Sequence, residues 1–162
     1  MKKTIWLVLF ALILCGCGVQ GTMETISDEL VLPVMAQPAA ISVELPGEAA
    51  LPAMESDAGR LYLCRDYEIS LQTMAAGDLQ ATIQTLSGME KDQLTILETE
   101  ENGMTRYEFV WAAAGEKGDR LGRAAIWDDG NYHYCLSLLR DEAATADSQI
   151  SWDQIFSSFT VS

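Results

Sequence analysis

The sequence predicts an α+β fold, an antiparallel sheet with a mid-chain helix and a C-terminal helix packed on it. Three observations lead there. Residues 94–140 are punctuated at short intervals by turn signals, Asn102-Gly103, Gly115-Glu116-Lys117-Gly118-Asp119 and Asp129-Gly130, which make four strands of a meander. Between those turns polar and apolar residues alternate with the period of a half-buried strand. Two short segments, near residues 79–88 and 151–159, carry apolar residues at helical spacing instead, with polar signals at their ends.

Taken in order, Ile41-Ser42-Val43-Glu44-Leu45 alternates as a strand and is stopped by Pro46-Gly47. A proline- and acid-containing loop follows, to about Gly59. Residues 60–74 are rich in β-formers (Leu61, Tyr62, Leu63, Tyr67, Ile69, Leu71) and make either a hairpin turning at Arg65-Asp66 or one bent strand. Asp78 is placed as an N-cap, Leu79, Ile83 and Leu86 share a helix face, and Gly88 ends it. In the meander, Tyr107, Phe109 and Trp111 give the second strand one strongly apolar face. In the last strand Tyr132, Tyr134, Leu136 and Leu138 share one face, and His133, Cys135 and Ser137 the other. Ser151 and Gln154 have capping-box spacing, Ile150 and Ile155 are placed as a staple, and Trp152, Ile155, Phe156 and Phe159 form the stripe of the last helix. Residues 159–162 form an extended stub suited to a sheet edge.

This element order, the Asp129-Gly130-Asn131-Tyr132 hairpin into a Tyr/Leu strand and the closing Ser158-Phe159 pair resemble the PsbP-like α/β/α sandwich, over about residues 41–161. The resemblance implies a non-catalytic binding or accessory role, commonly at a membrane-attached complex, and bacterial members include secreted lipoproteins. It supplies no site residues, and a fold alone does not determine function.

At the amino end, Lys2 and Lys3 precede an apolar run that closes on Leu14-Cys15-Gly16-Cys17, a pattern similar to a bacterial lipobox. Cys17, preceded by Gly16 and three residues after Leu14, is the expected lipid acceptor; Cys15 follows the bulky Leu14. Residues 1–16 are then a signal peptide, 17–40 the lipidated end and a flexible tether, and 41–162 one α+β domain. The alternatives are plain signal cleavage and an uncleaved anchor, but residues 5–15 are too few to cross a bilayer core that needs about 20 in a helix. As a coil, residues 18–40 span roughly 25 Å, although Leu30-Val31-Leu32 with Val34 and Met35 is apolar enough to dock on the domain. Loss of Lys2 and Lys3 from 10 basic residues leaves 8 against 24 acidic ones, a formal charge of −16. Such a surface repels phosphate backbones, so no nucleic-acid partner is expected, and the membrane is engaged through the lipid alone.

With Cys15 removed and Cys17 acylated, Cys64 and Cys135 remain as a candidate disulfide, the alternative being two buried free thiols. Closing that loop of about 72 residues contributes at most ~4 kcal/mol. His133, the only histidine, is read as a packed strand residue rather than a ligand or base. No Gly-x-Ser-x-Gly elbow presents a serine nucleophile, no ligand set suits zinc, and Asp128-Asp129-Gly130-Asn131 lacks the alternating oxygens of a calcium loop. Neither cofactor, metal nor catalytic residue is assigned. Glu98, Glu100 and Glu101 read as a solvated hairpin tip, and Trp111, Trp127 and Trp152 as packing residues. The expected function is that of an extracytoplasmic, membrane-anchored lipoprotein binding an unidentified protein or small molecule. The competing reading is a cell-envelope hydrolase using carboxylates such as mid-strand Glu68 and Glu108; a mainly structural or assembly role is the third.

Overall fold

The computed structural model describes residues 36–115, 118–142 and 152–162. Their class is α+β, with seven antiparallel strands in one sheet. The meander is the sheet's larger half: β5 (Ile96–Glu101), β6 (Met104–Gly115), β7 (Gly118–Asp128) and β8 (Tyr132–Asp141). Asn102 and Gly103 have φ of 54° and 79°, the pair of left-handed residues that a tight hairpin requires. The segment after Gly59 is a hairpin, not one bent strand. β3 (Gly59–Leu63) and β4 (Tyr67–Ala75) are joined at Arg65-Asp66, where the Cys64 N–H donates to the Tyr67 carbonyl at 2.9 Å.

Outside β3 lies β2 (Met54–Ser56), inside what the sequence presents as a loop. All three of its residues are exposed, so it carries no alternation to read. The strand order is β2-β3-β4-β8-β7-β6-β5, and β4 and β8 pair along nine residues from Tyr67↔Arg140 to Ala75↔Tyr132. That pairing joins the early hairpin to the meander. β1 is only Ile41–Ser42 and pairs with β9 (Thr160–Val161), a separate two-stranded ribbon. The alternation of Ile41, Val43 and Leu45 persists beyond the pairing because all three pack on the core.

Each sheet face carries one helix. α1 (Leu79–Ser87) starts where the Asp78 carboxylate accepts from the Gln80 N–H, and ends at Gly88, whose φ is 73°. Its Ile83, with Leu79 and Leu86 beside it, covers Phe109, Trp111, Ala124, Ile126 and Cys135. α2 (Trp152–Ser158) sets Ile155 and Phe156, followed by Phe159, over Ile69, Leu71, Trp127, Tyr134, Leu136 and Leu138. The capping and stapling residues Ser151 and Ile150 lie outside the described residues, as do Glu116 and Lys117.

The domain begins earlier than the boundary at Ile41. Tyr132 Oη donates to the Ala36 carbonyl (2.7 Å), Tyr134 Oη accepts from the Ala39 N–H (2.9 Å), and Ala40 and Ser162 exchange both backbone bonds. Residues 36–40 are therefore bonded structure rather than tether, and the compact unit runs from Met35 to Ser162. Asp129 organises this corner by accepting from the N–H groups of Asn131 (2.8 Å) and Tyr132 (2.6 Å) and from the Tyr134 hydroxyl (2.8 Å). Burial alone would push the Asp129 pKa up, but the Tyr132 N–H, the Tyr134 hydroxyl and the Asn131 N–H outweigh it and hold it below the usual carboxylate value.

A depressed carboxylate stabilises the fold above its unfolded pKa of about 4, and that contribution is lost as pH falls through the folded value. Asp129→Asn should therefore cost about 1 kcal/mol near neutrality, a figure kept low because the carboxylate is half-exposed and screened. The difference from the parent should shrink as pH falls below the usual carboxylate range. Urea midpoints across this range check it, and a gap independent of pH would contradict the role given to the charge.

Candidate functional site

The face opposite α2 is only partly roofed. α1 covers the meander side of it, and the side formed by β2, β3 and β4 is left as a groove of about 310 Å³. Its walls include Met54, Leu61 and Met74, and its polar members include Ser70 and Gln72, whose amide donates to Ser70 Oγ at 2.8 Å. Glu55 and Arg60 at the rim pair with each other at 2.8 Å, so the lining has no net charge in a strongly acidic chain. Met54 is 67% exposed, an adaptable apolar side chain presented to solvent. Gly59 makes part of the groove by absence: a Cβ there would lie 2.3 Å from the Leu71 carbonyl oxygen, so any side chain would force β3 off β4. In the sequence Gly59 stands at the end of a loop, just before the β-rich run, and gives no sign of this close approach.

The residues singled out from sequence scatter around this groove rather than into it. Cys17 lies outside the described residues. The Cys64–Cys135 bridge is not formed, and both cysteines are free thiols. Cys135 pairs with Gln72, five residues along β4 from Tyr67, where the turn at Cys64 ends; at about 3.3 Å per residue that is roughly 17 Å. A disulfide needs Cα atoms within about 7 Å. The two also belong to different cores, Cys64 beside the one under α2 and Cys135 within the one under α1. Burial pushes the Cys135 thiol up to about 12, so it stays protonated and unreactive.

His133 is buried, with Thr82 Oγ1 2.8 Å from Nδ1 and Asp128 Oδ2 3.5 Å from Nε2. This Thr-His-Asp line resembles a nucleophile relay only in composition. Thr82 and His133 are both buried, so the pair pins α1 to the sheet instead of meeting a substrate. Glu68 and Glu108, on opposite faces, are not brought together. Glu68 pairs with Arg120 at 2.9 Å, and Glu108 with Arg106 and Arg123 at 2.7 and 2.9 Å. Glu100 and Glu101 line the β5–β6 hairpin tip, and no cluster of three or more metal-ligating side chains exists among the described residues. No described helix is long and apolar enough to cross a membrane.

No family model and no curated protein matches the chain.

Trp111 and Trp127 are packing residues, Trp127 with its indole N–H donating to the Phe159 carbonyl at 3.2 Å. Trp152 differs: its indole N–H is buried with no partner among the described residues, as are the Tyr67 hydroxyl and Arg140 Nε. Burial first, then Cys64 and the Glu48 charge, raise the Tyr67 pKa, so the hydroxyl is held as a donor. Nothing in the sequence distinguishes these three from ordinary strand and helix residues.

Proposed function

We propose that the chain is a bacterial lipoprotein, acylated at Cys17, that holds a non-catalytic binding domain on the extracytoplasmic face of the membrane. The reading of the domain as a PsbP-like sandwich is part of this proposal, supported by a sheet with one helix on each face. The observation that carries the binding function is the groove beside Met54, Leu61 and Met74, which is concave, apolar and without net charge. Its volume is at the lower end of what small-ligand sites use, which suits one apolar group of a ligand or partner. The hydrolase reading is less favoured, because Glu68 and Glu108 are on opposite faces and each is held by arginine.

The test combines anchor and groove. Cells fed an alkyne-bearing fatty acid should label the wild-type chain and not Cys17→Ala, which should appear in the medium. That released protein, titrated with the neutral probe N-phenyl-1-naphthylamine, should give saturable fluorescence that Leu61→Glu abolishes with folding intact. Labelling that persists in Cys17→Ala would sink the anchor, and probe binding indifferent to Leu61→Glu would sink the groove.

A further inference from the structure

Four of the six arginines are neutralised, and of the other two Arg65 is exposed to solvent. Arg60, Arg106, Arg120 and Arg123 each meet a carboxylate within 3.0 Å. Arg140, half-buried on β8, has no ion pair among the described residues and lies 5.2 Å from the centre of the Trp152 ring. Tyr67 is its direct cross-strand neighbour on the face under α2. Arg140 Nε–H, Trp152 Nε1–H and, at the paired position on β4, Tyr67 O–H are all buried and without a hydrogen-bond partner among the described residues.

Buried donors left unmade cost free energy, and native structures fill them with protein, water or an ion. Here the missing groups are all acceptors, and one of the donors carries a positive charge with no ion pair among the described residues. Water would satisfy the N–H and O–H groups and leave that charge uncompensated. An oxyanion meets both needs, since a guanidinium and flanking donors suit the several lone pairs of a carboxylate or phosphate.

We propose that Arg140, Trp152 and Tyr67 form a binding site for an oxyanion, a carboxylate or phosphate group carried by a ligand or partner. The site is separate from the groove and independent of the anchor. The Glu48 charge reaches the Tyr67 hydroxyl and opposes a second negative charge there. The expected affinity for a free anion is therefore modest, a Kd of order 1 mM.

The experiment follows the indole N–H signal of Trp152 in the ¹⁵N-labelled full chain in neutral detergent micelles, assigned by its loss in Trp152→Phe. The chain is titrated with sodium phosphate and, separately, sodium acetate, each against sodium chloride at equal ionic strength. A saturable shift beyond chloride is expected. Movement with acetate alone identifies carboxylate as the ligand group, movement with phosphate alone identifies phosphate, and movement with both a shared oxyanion site. The Trp127 indole N–H, bonded to Phe159, should stay still and report an intact fold. Arg140→Gln should weaken binding about tenfold or more. Tyr67→Phe removes a single hydroxyl and keeps the ring in the core, so it should fold normally and weaken binding about threefold. No shift beyond chloride, or shifts that survive Arg140→Gln, would overturn the site.

Discussion

Replacing Gly122 by alanine should destabilise the domain by about 3 kcal/mol, an exceptional cost for one added methyl group. Gly122 sits mid-strand in β7, paired with Trp111 on β6, and the indole lies across the space where a side chain would be. A Cβ at position 122 would come 2.2 to 2.6 Å from three ring atoms of Trp111. The ring has nowhere to retreat, because Trp111 is itself buried against Phe109, with ring centres 5.7 Å apart, in the core under α1. Alanine must therefore push the indole off its rotamer or bend the strand pair, and overpacking of this kind costs about 1–3 kcal/mol, occasionally more. Trp111→Leu in the same chain should recover a good part of the loss, giving a coupling energy of about 1–2 kcal/mol in a double-mutant cycle. Urea unfolding of the four proteins decides it. A Gly122→Ala protein within ~0.5 kcal/mol of its parent would show that β6 and β7 can part freely, against the packing described.

Gly122 also marks how far the sequence could be read. The meander was legible because Asn102-Gly103 and Asp129-Gly130 permit few backbones other than hairpins, and α1 because Asp78 and Gly88 mark its two ends chemically. A glycine inside a strand signals a close neighbour without naming it, and the neighbour here is fixed by register, a long-range property. The same limit hid the groove. β2 is short and wholly exposed, so no periodicity announces it, and Gly59 appears as a loop residue until its pairing with Gln72 is known. Cys64 and Cys135 were paired on number alone, since their separation along β4 depends on where the β3–β4 turn falls. Alternation reports that a strand has two faces, not which is covered. Arg106 and Glu108 alternate with the apolar residues of β6, yet α2 lies over their side as well.

Those covered charges give the second large effect: Glu108→Ala should cost about 3 kcal/mol and lower the melting temperature by roughly 10 °C. Glu108 is the hub of a charge network beneath α2. Its two oxygens meet Arg106 at 2.7 Å and Arg123 at 2.9 Å, Arg106 also donates to the Phe156 carbonyl at 2.7 Å, and Arg123 reaches Asp153 at 2.8 Å. The guanidiniums lie over aromatic rings, Arg106 over Trp127 and Arg123 over Phe156, so neither can swing into water without surrendering that packing. Burial works against the charge of Arg123, but Glu108 and Asp153 outweigh it and raise its pKa. Removing Glu108 leaves Arg106 without a carboxylate and Arg123 with only the exposed Asp153, whereas removing Asp153 takes away a carboxylate that is 94% exposed, worth under about 1 kcal/mol. Salt separates the two contributions further. Molar sodium chloride should erase the Asp153→Ala effect and leave most of the Glu108→Ala effect, because screening acts on exposed pairs far more than on covered ones. Equal and equally salt-sensitive losses in the two variants would mean that α2 is held by Ile155, Phe156 and Phe159 alone, with the network contributing no more than a surface ion pair.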